Sequence, residues 1–124
     1  MSKELRQTTT MSYRKGDRNP SPETFGGTID VSGTDYAKGT QTAPLSGANA
    51  DPLDVGDITT PGIIQVKNHS DYDLEFSTST AHSNVVAGCP ANGTAMFLLV
   101  SATPHVRSAD ATYTVEFEYF VVEA

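Results

Sequence analysis

His69, Ser70 and Asp71 stand in a row and carry the three side chains of a nucleophilic hydrolase: a base, a hydroxyl and a carboxylate. A working triad is assembled in space, with the imidazole held between the other two groups. Three consecutive residues in a tight turn do not make that arrangement. The chain also has no Gly-x-Ser-x-Gly nucleophile elbow. Asn68, Ser70 and Asp71 are good turn formers, so the segment reads as a hydrogen-bonded turn. A small hydrolase with His69 as base is the enzymatic alternative. His82 and His105 lie far from His69 and from each other in sequence, without the spacing of a metal-ligand motif. Asp51, Asp54 and Asp57 recur at every third position, whereas a calcium loop alternates its oxygen ligands and closes on a glutamate. They read as turn and solubility residues. Cys89 is the only cysteine. It permits no intrachain disulfide and has no Cys-x-x-Cys partner that would mark a reactive thiol. Phosphate loops, dinucleotide fingerprints and Cys/His metal frameworks are absent from the sequence. These readings together predict a non-enzyme that uses no cofactor and no metal.

The charge is uneven. The 124 residues hold 8 basic and 15 acidic side chains, a net of −7. Residues 1–20 carry Lys3, Arg6, Arg14, Lys15 and Arg18 against Glu4 and Asp17, a net of +3. Residues 21–124 carry Lys38, Lys67 and Arg107 against thirteen acids, a net of −10. So acidic a body lacks the basic surface that phosphate backbones require, which argues against nucleic acid as a partner. A basic arm ahead of an acidic body points instead to an arm that lies on its own body or on a neighbour's. The longest apolar run, Ala95 to Val100, is too short to span a bilayer, and no secretory signal follows Met1. The expectation is a protein made in a cytosol, with no membrane partner.

The elements that position these residues are strands. From Thr112 to Val122, the residues Tyr113, Val115, Phe117, Tyr119 and Val121 share one parity, with Thr112, Thr114, Glu116 and Glu118 on the other. A period of two is that of a strand with one buried face. The alternation lapses at Phe120 and Val122, which predicts that the far face of this strand is also covered there, by a neighbouring element or subunit. Gly62–Asn68 reads as a central strand, with Ile64 and Val66 on one face. Tyr72–Ser79 alternates again, and the two predict an antiparallel hairpin around His69-Ser70-Asp71. Thr94–Ser101 is apolar on both parities, as in a strand buried on both faces. Phe25–Val31 and Tyr36–Thr42 are further strand candidates, and Glu4–Arg14 reads as an extended, threonine-rich segment that pairs at a sheet edge or onto another subunit. No sustained 3.6-residue apolar period occurs.

The stretch from Asp54 to Asp71 combines a Gly56-Asp57 turn, a Pro61-Gly62 strand entry, a buried strand ending in Lys67-Asn68 and a polar turn. This pattern resembles small β-sandwich proteins among the virion components of tailed bacteriophages. The likeness extends loosely over residues 36–124, through Gly39-Thr40-Gln41-Thr42, the apolar Met96–Val100 strand and the long terminal strand. It departs at Ala91-Asn92-Gly93-Thr94, where that family tends to a Pro-Gly-Glu-like turn. The resemblance implies a decoration, connector or tail-associated subunit and brings no catalytic residue with it.

The expectation is therefore an all-β chain: an antiparallel β-sandwich or jelly-roll-like barrel of about seven or eight strands over residues 21–124, preceded by an extended basic N-terminal arm over residues 1–20. Its function is that of a virion structural protein, made in the host cytoplasm and resident in the particle, whose partners are copies of itself and other virion proteins. Leu5, Met11 and Tyr13 of the arm, with Phe120 and Val122 of the last strand, are the expected interface residues. Burying one such side chain is worth roughly 1.5–3 kcal/mol. The alternative is a carbohydrate-binding sandwich on a fibre or tail tip, using exposed aromatics such as Tyr36 or Tyr72.

Overall fold

In a computed structural model, the residues described are 5–12, 17, 21–29, 31, 33–101 and 103–124. The chain divides into two compact units, Met1–Ser32 and Gly33–Ala124. The strands are all antiparallel, and the described residues contain no helix.

The first unit is a two-stranded sheet. β1 (Leu5–Met11) pairs with β2 (Glu23–Ile29), from Leu5 opposite Ile29 to Met11 opposite Glu23. Thr10 and Thr24 share a hydroxyl hydrogen bond of 3.0 Å across it. The run of threonines favours this pairing because branched β-carbons suit a pleated surface. The segment expected to pair at a sheet edge or onto another subunit has β2 as its partner. Tyr13 lies outside the described residues.

The second unit holds eight strands in two four-stranded sheets: β3 (Tyr36–Ala43), β4 (Asp51–Pro52), β5 (Pro61–Asn68), β6 (Leu74–Ser77), β7 (Val85–Cys89), β8 (Thr94–Leu98), β9 (His105–Ser108) and β10 (Val115–Glu123). One sheet has the order β3-β10-β5-β8, the other β4-β9-β6-β7. Ile64, Val66, Phe117, Tyr119 and Val121 of the first join Leu74, Phe76, Cys89 and Val106 of the second in one buried cluster. The Phe76 ring meets Phe97 edge-on at 5.0 Å and Phe117 at 6.3 Å, so aromatic side chains from both sheets interlock between them. The unit is a β-sandwich-like body. Its central strand is β10, whose buried residues Val115, Phe117, Tyr119 and Val121 follow the alternation seen in the sequence.

Three expectations are corrected. β5 and β6 do not form a hairpin. They belong to different sheets, and the chain crosses between them at residues 69–73. Asn68 holds that crossing: it is fully buried, its Nδ2 donates to the carbonyls of Tyr72 (2.8 Å) and Cys89 (3.3 Å), and its Oδ1 accepts from the Ser70 amide (2.9 Å). Strand β8 is likewise not buried on both faces. It is the edge of its sheet, with Ala95 and Phe97 turned toward the core while Leu98 is 60% exposed. Tyr113 also falls outside β10 and stacks on Tyr72 at 4.8 Å and 9°. At Gly62, a Cβ would lie 3.0 Å from the Val122 carbonyl oxygen and 3.1 Å from Ala124 Cα, so a side chain there would press on the backbone at the end of β10 and the close approach favours glycine.

Candidate assembly surface

The outward side of the β3-β10-β5-β8 sheet is built from the parity opposite to the core. Register places its residues in cross-strand rows. Thr40, Glu118, Lys67 and Thr94 form one row; Lys38, Phe120, Gln65 and Met96 form the next. Beyond them, Tyr36 is opposite Val122 and Ile63 is opposite Leu98, which completes an apolar end. Tyr36 is 65% and Phe120 38% exposed, and their rings meet edge-on at 5.9 Å. Lys38, Thr40, Gln65, Lys67, Glu118 and Phe120 line a shallow hollow of about 560 Å³ between the first two rows. The charged end is tied down: His69 Nε2 lies 2.8 Å from Glu118 Oε1, and Lys67 Nζ donates to the Asn92 carbonyl at 2.9 Å.

Phe120 and Val122, singled out from the lapse in alternation, thus lie on this face together with Tyr36, Ile63, Met96 and Leu98. The last two sit in the run that sequence parity assigned to the interior. Their signal was present, because an apolar residue on both parities also describes an edge strand with a sticky outer side. Leu5 and Met11 lie on β1, in the other unit, where Leu5 is partly buried and Met11 is 76% exposed. Phe25 of β2, 69% exposed, is an apolar residue of that unit that the sequence reading had not chosen.

The groups with chemical potential are occupied or enclosed. His69, Ser70 and Asp71 do not converge: His69 faces Glu118, Ser70 Oγ accepts from the Glu116 amide, and Asp71 Oδ1 accepts from Asn92 Nδ2. Asp54 Oδ1 accepts from the Gly56 amide in its own turn. Among the described residues, no three His, Cys, Asp or Glu side chains lie together as ion ligands. A different set does approach a triad. His82 Nδ1 lies 2.6 Å from Ser77 Oγ, and its Nε2 lies 3.4 Å from Glu75 Oε1. Ser77, however, is 1% exposed, and its hydroxyl donates to the Ser79 carbonyl, so it accepts the proton of Nδ1 and has no path to a substrate. Burial, and then the Arg107 guanidinium, push the His82 pKa below the usual histidine value against the pull of Glu75. Burial likewise pushes the Cys89 thiol up, away from the thiolate that reacts. Of the aromatics considered for sugar stacking, Tyr72 has one ring face covered by Tyr113, and Tyr36 leans on Phe120.

No helix among the described residues is long and apolar enough to cross a membrane. A scan against protein-family models, a search of curated proteins and a search of solved structures each find no match to this chain.

Proposed function

We propose that this chain is a structural subunit of a tailed-phage particle, a capsid decoration, connector or tail-associated protein that acts by associating with copies of itself and with other virion proteins. The body is the sandwich or jelly-roll-like part, and the N-terminal segment is the reaching part. The observation that carries the reading is the β1–β2 sheet. It has only two strands, a size that is marginal alone in water. It leaves Met11 76% and Phe25 69% exposed. Such an element gains stability by laying its apolar residues, and its free strand edges, on a neighbour. The basic balance of residues 1–20 complements the acidic body of a sister copy. The strand-and-turn pattern of residues 54–71 supplies the virion setting.

The test is assembly itself. Purified full chain, examined by light scattering and electron microscopy, forms multimers or decorates particles. A chain lacking residues 1–32, or carrying Met11→Lys with Phe25→Lys, stays folded but neither builds the larger multimers nor decorates particles. Undiminished assembly of both variants refutes the role of the sheet. A carbohydrate-binding module on a fibre or tail tip is the second reading, favoured by the exposed ring of Tyr36. A glycan array with specific hits, lost in Tyr36→Ala, selects it over the structural role.

A further inference from the structure

We propose that two copies of this chain dock through the outward side of the β3-β10-β5-β8 sheet, about a two-fold axis lying in the contact plane, parallel to the strands and midway between β10 and β5. This rests on the assembly reading above and names the surface and symmetry of one of its contacts.

The strand order supplies the geometry. The axis reverses the order of the sheet, so β10 of one copy meets β5 of the other and β3 meets β8, while the cross-strand rows stay level. Glu118 then faces Lys67 of the second copy, and Lys67 faces its Glu118. Phe120 faces Gln65 of the second copy and enters the hollow beside it. Tyr36 faces Leu98, and Val122 faces Ile63. Lys67 meets Glu118, Lys38 meets Met96 and the apolar end meets the apolar end, with the small rotation that sheet twist imposes on stacked sheets. An isologous contact requires such self-complementarity.

Charge argues for a second copy as the occupant. Residues 33–124 carry eleven acids and three cations, and Lys38 and Lys67 both lie on this face, beside Glu116 and Glu118. The rest of the unit keeps Arg107 alone against nine acids. Bodies that approach by another side meet a surface with nine acids against Arg107, whereas here the local charge is balanced and each Lys67 has a Glu118 across the axis. The size is that of a weak, reversible contact. β5 has eight residues and β8 five, so at about 3.4 Å per residue and about 4.8 Å between strands the facing area is roughly 420 Å² per copy. Two such faces remove on the order of 850 Å² before side-chain relief is counted, at the low end of specific contacts.

The experiment uses analytical ultracentrifugation of the full chain over a range of concentrations. Lys67→Glu and Glu118→Lys each weaken pairing about tenfold or more, because like charges then face each other across the axis. Lys67 and Glu118 are also neighbours within one copy, so loss alone does not separate the two effects. Mixing the two variants does. Each keeps its internal like-charge neighbours, yet in a mixed pair the two acidic positions of one copy face the two basic positions of the other, and association returns to wild-type strength. Leu98→Asp, at an exposed position, weakens pairing and is not rescued by either variant. A mixture no tighter than its components overturns the proposal. A full chain that assembles but ignores all three substitutions overturns this face and leaves the assembly reading standing. A full chain that is monomeric throughout overturns both.

Discussion

Replacing Asn68 by alanine removes the bracket between the two sheets. The side chain is fully buried and makes three hydrogen bonds, two donated to the carbonyls of Tyr72 and Cys89 and one accepted from the Ser70 amide. A typical net contribution is about 1 kcal/mol per bond, and a buried backbone group left unpaired costs about 1–3 kcal/mol. Water can reach the Ser70 amide in the turn more readily than the Cys89 carbonyl in the interior, so the three losses are unequal. Together they come to about 3 kcal/mol. For a domain of this size each kcal/mol moves the midpoint by roughly 4–8 °C, so the unfolding temperature falls by about 12–24 °C. The assay is urea unfolding followed by tyrosine fluorescence and circular dichroism, with the m-value checked for constancy. His69→Ala in the same turn is the control. It removes an exposed pair with Glu118 and costs less than about 1 kcal/mol. An Asn68→Ala variant within about 0.5 kcal/mol of the parent, with unchanged m, refutes the claim that this side chain holds the crossing.

The enclosed histidine gives the body a pH dependence. His82 is held neutral by burial and by Arg107, with His105 adding to that effect and Glu75 opposing it. Its folded pKa is below the unfolded value near 6.5, so the stability it permits is complete above about pH 6.5. It declines as pH falls below that value, because the unfolded chain takes the proton first. Urea midpoints measured between pH 7.5 and 5 show this decline, and His82→Asn flattens it. An equal slope in the variant refutes the assignment. Cys89, buried with its thiol pKa raised, reacts with a thiol reagent much more slowly in the folded chain than in urea; equal rates refute its enclosure.

The period-two strands were readable because each needs only its own residues. β10 and β5 show one clean apolar parity, and both are central in their sheet. The lapse at Phe120 and Val122 predicted a cover over the far face of β10, where Phe120 is 38% exposed. What sequence withheld was the identity of partners. A strand, a polar turn and another strand describe a hairpin and a sheet-to-sheet crossing equally well. The difference lies in where the Asn68 side chain points, which depends on Cys89, twenty-one residues away. The parity of Thr94–Leu98 failed for the same reason: an apolar outer side is compatible with burial or with an edge, and only the neighbouring strand decides. Glu4–Arg14 showed strand character without showing that Glu23–Ile29 answers it. The Ser77–His82–Glu75 set was invisible because a left-handed backbone at His82, with φ of 56°, folds the ring back onto β6.

The order in which the first sheet is completed has a consequence for biosynthesis. β10 lies between β3 and β5 and is hydrogen-bonded to both, yet all of β4 to β9 is translated between β3 and β10. On the ribosome, β3 therefore has no place in its sheet, and one edge of β5 no hydrogen-bonding partner, until β10 clears the exit tunnel. Through that interval, the emerged polypeptide exposes greasy strand edges in a crowded polysome, where its siblings sit close by. This topology makes closure of the sheet wait for its last-translated strand.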